Sequence, residues 1–296
     1  MVALNYAQEY SQALANAYPY VLHYGALYET TNNNRYRWTS SKTIQIPSIT
    51  TTGRVNGDRD AIGTAARNYD NAWEPKTLSN HRKWATLVHP ADINQTAGVA
   101  NIQNITESYN NDQKFPEMDA YTVSKLFADW TAAGGTATTG FAPTAENVLT
   151  QFDADMQAMT EGRVPTNGRV LYITPAVDTC IKQAQQISRQ LDVQSNAATI
   201  NRVVHSLDDV KIEVVPPELM KTVYDFTTGW AVGASAKQIH MFLVHPGAVI
   251  TPISYEFAQL DPPSAITEGK YYYFEESFED VFILNKKYTG LRFVTE

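Results

Sequence analysis

Residues 51–78, TTGRVNGDRDAIGTAARNYDNAWEPKTL, carry no apolar repeat at either helical or strand spacing. They mix Gly53, Gly57 and Gly63 with Arg54, Asp58, Arg59, Asp60, Arg67, Asp70 and Glu74. Before them, KTIQIPSIT at 42–50 alternates as a strand does, and Pro47 marks it as an edge because proline cannot donate to a ladder. After them, RKWATLV at 82–88 reads as a returning strand closed by His89-Pro90. A strand, a polar tip of some 30 residues and a return strand make a very long hairpin. An isolated hairpin is marginal in water, so this one needs a surface to lie on. With 43% hydrophobic residues, the rest of the chain has material for a substantial core.

The first 41 residues are equally unusual. They hold four charged side chains (Glu9, Glu29, Arg35, Arg37) but seven of the 17 tyrosines, plus Trp38. Tyr6, Tyr10, Leu14 and Ala17 fall at helical spacing until Pro19. The segment reads as an arm, docked on its own core or on a neighbouring subunit.

The remainder is patterned. Ile102, Ile105 and Tyr109, then Met118, Val123, Leu126, Phe127 and Trp130, predict a long helical spine, kinked near Pro116 and stopped at Gly134-Gly135. TAAGGTATTGFAP at 131–143 reads as a hinge. Beyond it the pattern is α/β. A helix opens at Thr144 with Val148, Phe152, Met156 and Met159 on one face, and RVLYI at 169–173 forms a strand. A helix from Thr174-Pro175 buries Val177, Ile181, Ala184 and Leu191. Strands follow at 210–215, 238–245, 270–275, 278–284 and 290–295. The fold class is α+β overall, with a mixed sheet flanked by helices in the second half.

Chemistry-bearing motifs are missing. The six histidines form no HExxH pair, Cys180 stands alone, and there is neither a P-loop nor a GxGxxG. Asp58-Arg59-Asp60 begins like a calcium loop, but Tyr69 stands where the bidentate glutamate belongs. Asp153/Asp155 and Asp208/Asp209 read as solvated pairs. No enzyme activity, metal or cofactor is expected. The formal charge of −8 argues against a surface that wraps nucleic acid, and no apolar run reaches the roughly 20 residues of a spanning helix, so no membrane partner is expected.

Several blocks together resemble the major capsid proteins of tailed bacteriophages, the shell fold called Hong Kong ninety-seven. They are Asn5-Tyr6-Ala7 with Tyr10-Ser11, Trp38 with KTIQIPSI at 42–49, IHMFLVHPGAVI at 239–250, and the closing block at 271–291 with Phe278, Asp280, Val281, Asn285, Lys286 and Gly290. The resemblance implies an N-terminal arm at 1–41 and an extended β-hairpin loop at 42–90 lying over a neighbour. It implies a peripheral domain with its spine helix at 91–143, an axial α/β domain at 144–250, and a return to the peripheral domain at 251–296. It further implies a coat protein that self-assembles as pentamers and hexamers into an icosahedral shell. That shell would enclose double-stranded DNA without sequence specificity, be assembled in the bacterial cytoplasm and end in the virion. A separate scaffolding protein and a portal protein are the expected partners. The alternatives are an encapsulin-like compartment shell and an α/β enzyme with an unrecognised site.

On this reading the self-assembly contacts are Tyr6, Tyr10, Tyr20 and Trp38 of the arm with Arg54, Asp58, Arg59, Asp60, Arg67, Trp73 and Glu74 of the hairpin. Tyrosine and tryptophan supply contact area at low entropic cost, and mixed charges select register more than they add affinity.

Overall fold

The computed structural model describes residues 20–56, 67–96, 98–184 and 204–296. Elements in chain order begin with α1 (Gly25–Tyr28), β1 (Arg37–Ser40), β2 (Thr43–Thr51), β3 (Tyr69–Thr77), β4 (His81–Val88), α2 (Pro90–Gln95), α3 (Ile102–Tyr109) and α4 (Phe115–Ala132). The middle holds α5 (Val148–Glu161), β5 (Val170–Ile173), α6 (Pro175–Gln183), β6 (Ser206–Leu207), β7 (Val210–Val214), β8 (Tyr224–Asp225) and β9 (Ala231–Val232). The chain closes with β10 (Ile239–Val244), β11 (Val249–Ile250), β12 (Ile253–Asp261), β13 (Tyr271–Glu279), β14 (Phe282–Ile283) and β15 (Leu291–Thr295).

A five-stranded sheet in the order β15-β10-β5-β7-β6 is the centre of the molecule. Its β5–β7 pair is parallel and the others are antiparallel. All four residues of β5 are buried, because both faces of the sheet are covered. That explains the unbroken apolar run at 170–173. On one face lie Val148, Phe152 and Met159 of α5 and Val177 and Ile181 of α6. On the other, Tyr172, Phe242 and Phe293 meet the α4 stripe of Ala120, Val123, Leu126 and Trp130. Phe242 and Phe293 stack at 4.3 Å. Each fully buried large side chain in such a layer contributes about 1.5–3 kcal/mol relative to exposure.

The predicted helical spine is present. α3 and α4 are joined by one wide helical turn at Asn110–Lys114, next to Pro116, whose missing N–H breaks the ladder. The spine stops where two glycines are required. Gly134 has φ +99°, and a Cβ on Gly135 would sit 2.2 Å from the Trp130 ring. The expected hinge is instead fastened. Thr138 N–H donates to Phe293 O at 3.1 Å, Thr295 N–H to Thr138 O at 2.7 Å and Phe141 N–H to Thr295 O at 3.1 Å.

Four further expectations are corrected. The return strand of the long hairpin is β3, paired with β2 from Thr43↔Thr77 to Thr51↔Tyr69, and not 82–88. Residues 81–88 pair with β13 in a separate three-stranded sheet, β12-β13-β4. β3 lacks an apolar pattern because it buries almost nothing. Likewise β12 was not foreseen, and β13 runs on to Glu279, so the second expected tail strand, 278–284, covers only its end and the short β14. The helix opens at Val148 and not at Thr144, whose hydroxyl accepts from Asn147 N–H in a preceding turn. Asp155 is 2% exposed, not solvated: Arg292 Nε lies 3.3 Å from its Oδ1, and burial raises its pKa against that pairing. Leu191 lies outside the described residues.

Candidate self-assembly surfaces

β2 and β3 form a ribbon of nine residues per strand, roughly 30 Å long at about 3.4 Å per residue. Only its root is anchored. Ile44 and Ile46 of β2 join Leu78, Ile250, Phe278 and Phe282 in a small core of their own. β1 covers β2 at residues 43–45 alone, so Pro47 faces an open edge, as its missing donor requires. From there outward the ribbon is exposed, and 51–56 are exposed throughout.

Trp73 is 40% and Trp38 is 41% exposed, which is unusual for indoles that could have been buried. The Arg37 guanidinium lies 3.9 Å over the Trp73 ring, and Tyr36 packs edge-on to Trp38 at 5.8 Å. The structure thus gathers Trp38 and Trp73 at the ribbon root, with Glu74 half-buried beside them. Further out, Arg67 contacts Asp70 at 3.7 Å and stacks on Tyr69 at 5.1 Å, whereas Arg54 stands free of any salt bridge among the described residues. Tyr6, Tyr10, Asp58, Arg59 and Asp60 lie outside the described residues.

Tyr20 has a different setting. Its hydroxyl donates to Asp119 on α4, and its own N–H donates to Asn111 Oδ1 at 3.3 Å. Asp119, fully buried, also accepts from the N–H groups of His23 (3.0 Å) and Tyr24 (3.2 Å). Further along, Asn32 donates to Gly247 O at 2.7 Å and Asn33 to Thr251 Oγ1 at 2.9 Å. Residues 20–33 are therefore stitched to the body of their own chain. Burial raises the Asp119 pKa against the pull of its three donors. A carboxyl whose folded pKa exceeds its unfolded one binds protons more tightly when folded. Its contribution is fully present below the unfolded pKa and is lost as pH rises through the folded value. Asp119→Ala, which strands a hydroxyl and two amides, is expected to cost about 2–4 kcal/mol. Asp119→Asn keeps one acceptor, costs less, and flattens this part of the pH profile. Thermal melts of both variants from pH 4 to 8 check the ordering.

The alternating apolar residues of 253–257 signal a surface that the hairpin-centred reading missed. On one face of the β12-β13-β4 sheet, Tyr255 stacks on Phe257 at 6.3 Å, Phe257 meets Phe274 at 6.2 Å, and Phe274 stacks on Tyr272 at 6.4 Å. Leu87, at the same level on β4, is 56% exposed. The opposite face turns toward α3 and α4, where Trp84 stacks on Tyr109 at 3.9 Å and Arg82 pairs with Glu117. Among the described residues no cluster of His, Cys, Asp or Glu could hold a metal, and no helix is long and apolar enough to cross a membrane.

No protein-family model matches the sequence, and no curated protein matches it significantly. Solved structures do match, along almost the whole chain. A protein of Mycobacterium phage Che8 is 15% identical with a TM-score of 0.67, covering 97% of this chain and 96% of its own. The mature capsid of bacteriophage PhiM1 is 12% identical with a TM-score of 0.68 over 98% and 91%. The capsid of cyanophage P-SCSP1u is 11% identical with a TM-score of 0.67 over 98% and 92%. The fold is that of phage capsid subunits. The five-stranded sheet, the spine and the projecting ribbon are all parts of this one fold; the spine and the strands at 170–173, 210–214, 239–244 and 291–295 were foreseen from the sequence, whereas the ribbon's return strand was not.

Proposed function

We propose that this chain is the coat subunit of a bacteriophage shell, assembling through copies of itself as pentamers and hexamers around double-stranded DNA. The role is structural, not catalytic. The observation that carries the reading is a likeness in fold to the capsids of PhiM1 and cyanophage P-SCSP1u that spans 98% of this chain. The ribbon gives it a physical basis. A strand pair some 30 Å long, exposed beyond its root and bearing Trp38 and Trp73 at its base, gains little from its own chain and needs a partner surface. One sequence filling rings of five and six makes head-to-tail contacts, which close because each copy offers both halves. The net charge of −8 suits an inner wall that does not adsorb the packaged DNA. A scaffolding protein, a portal protein and assembly in the host cytoplasm belong to the same reading.

Negative-stain micrographs and sedimentation of the expressed chain, with and without a candidate scaffolding protein, test it. Closed particles of uniform diameter are expected. A chain that sediments as a monomer at high concentration under both conditions overturns it. Particles that enclose an enzyme in place of DNA redirect it to a compartment shell.

A further inference from the structure

The ribbon root holds a cavity of about 300 Å³ with apolar walls. Ile46 and Ile49 of β2, Ile250 and Leu284 form those walls, and Ile49 is left 68% exposed at the mouth. Arg35, Lys286 and Lys287 stand around the rim, with Glu74 the one acid among the lining residues. Burial, then the nearby Arg35, lower the Lys287 pKa, as expected where cations crowd. Such a cavity fits an apolar side chain flanked by negative charge.

The same chain carries that shape elsewhere. Ile266, at the tip between β12 and β13, is 95% exposed. The tip is held by its own hydrogen bonds. Ser264 N–H donates to Thr267 Oγ1 at 2.9 Å, Thr267 N–H to Ser264 Oγ at 3.2 Å, and Gly269 N–H to Ser264 O at 2.9 Å. Glu268 follows in the left-handed region, φ +51°, with its side chain in solvent and Lys270 its ion-pair partner at 3.2 Å. Little ordering entropy remains for this loop to lose on binding. It cannot reach its own cavity. Ile250 lies at the near end of β12 and Ile266 beyond the far end, with nine residues of extended strand, roughly 30 Å, between them.

We propose that Ile266 of one copy seats in the cavity at the ribbon root of a second copy, with Glu268 set against the Arg35, Lys286 and Lys287 rim. The contact is heterologous, knob on one end and socket on the other, the kind that propagates around a ring or across a shell. It rests on the assembly reading above, since it requires a second copy, and it names the residues that meet at one of the contacts.

The test uses the full chain with Cys180→Ser, so that introduced cysteines stand alone. Ile266→Cys and Ser48→Cys chains, mixed and treated with a short bis-maleimide after assembly, are expected to give linked dimers. Each single-cysteine chain treated separately is expected to give none. Ile266→Asp, at a position with no neighbours to disturb, is expected to leave the thermal melt unchanged and raise the concentration needed for assembly at least tenfold. Glu268→Lys is expected to weaken assembly severalfold, and adding Lys286→Glu to restore it. Particles that form normally and show no link between residues 266 and 48 overturn this contact and leave the shell reading standing. A chain that never assembles overturns both. Impaired assembly by Ile266→Asp without the cross-link overturns the cavity as the seat.

Discussion

Deleting residues 52–68 and joining Thr51 to Tyr69 through an Asn-Gly turn is expected to give a soluble, folded subunit that closes no shells. The local physics favours the fold. Thr51 and Tyr69 are directly paired across β2 and β3, and a two-residue turn of that composition matches the twist of an antiparallel pair. The described residues removed, 52–56 and 67–68, are exposed, and the root core of Ile44, Ile46, Leu78 and Phe282 stays intact. Stability is therefore expected to stay within about 1 kcal/mol, as for other surface changes, and a shorter connection lowers the closure entropy. Assembly loses the polar connection beyond the ribbon, including Arg54 and Arg67, while the β2–β3 pair itself is kept. The measurement is a pair: a urea or thermal melt close to the parent, and a sedimentation profile without the particle peak. Normal particles from this deletion would remove the ribbon tip from assembly altogether. A deletion that fails to fold would instead show that the tip stabilises its own subunit, despite the exposure of its two flanks.

Legibility in the sequence followed burial. Strand β5 and helix α4 were readable because both faces of the sheet and one face of the helix are packed, which leaves a run at 170–173 and a stripe from Val123 to Trp130. The ribbon was recognised through its lack of pattern, and for the same reason its return strand was misplaced. β3 buries almost no apolar side chain, so no apolar pattern in YDNAWEPKT distinguishes it from a loop, while the apolar 82–88 drew the assignment. β12 shows the converse error. Its alternation is plain at Ile253, Tyr255 and Phe257, but it follows Pro252 and precedes Pro262-Pro263, and no strand is expected there. Asp155 was misread for a different reason. Helical spacing placed it beside Asp153 in a polar-looking pair, but the residue that makes its burial tolerable, Arg292, is 137 positions away and invisible to any local rule. The candidate contacts divide in the same way. Trp38 and Trp73 were found by composition, and their exposure makes them candidates still. Tyr20 was selected by composition too, but its hydroxyl is committed to Asp119 of its own chain.

Arg169 escaped notice because nothing in a polar stretch marks a buried cation, and its replacement is expected to cost more stability than loss of the Asp119 carboxylate. This guanidinium is 1% exposed and its hydrogen-bond partners are not carboxylates. Nε donates to Pro165 O at 2.9 Å, Nη2 to Val164 O at 2.8 Å and to Thr160 Oγ1 at 3.2 Å, and Nη1 to Met156 O at 3.2 Å. These acceptors are in the last turns of α5 and the loop that leaves it, where helix carbonyls run out of partners and the helix dipole is negative. Arg169 thus closes the end of α5 and hands the chain directly into β5 at the centre of the sheet. Burial lowers its pKa, but a guanidinium keeps its charge at any physiological pH, so the site cannot relieve its desolvation by losing a proton. Arg169→Met preserves length and apolar contact but strips the guanidinium donors from the Pro165 and Val164 carbonyls and from Thr160 Oγ1, an expected loss of about 3–5 kcal/mol. Arg169→Lys keeps the charge on a single point with three donors, cannot span the same fork, and is expected to lose roughly half as much. Urea denaturation of the unassembled subunit reads the totals, and amide exchange across 156–173 locates the loss. If Arg169→Met unfolds within about 1 kcal/mol of the parent, the level of an ordinary surface change, the carbonyl cage is not what holds α5 against the sheet, and packing of Phe152 and Met159 alone suffices.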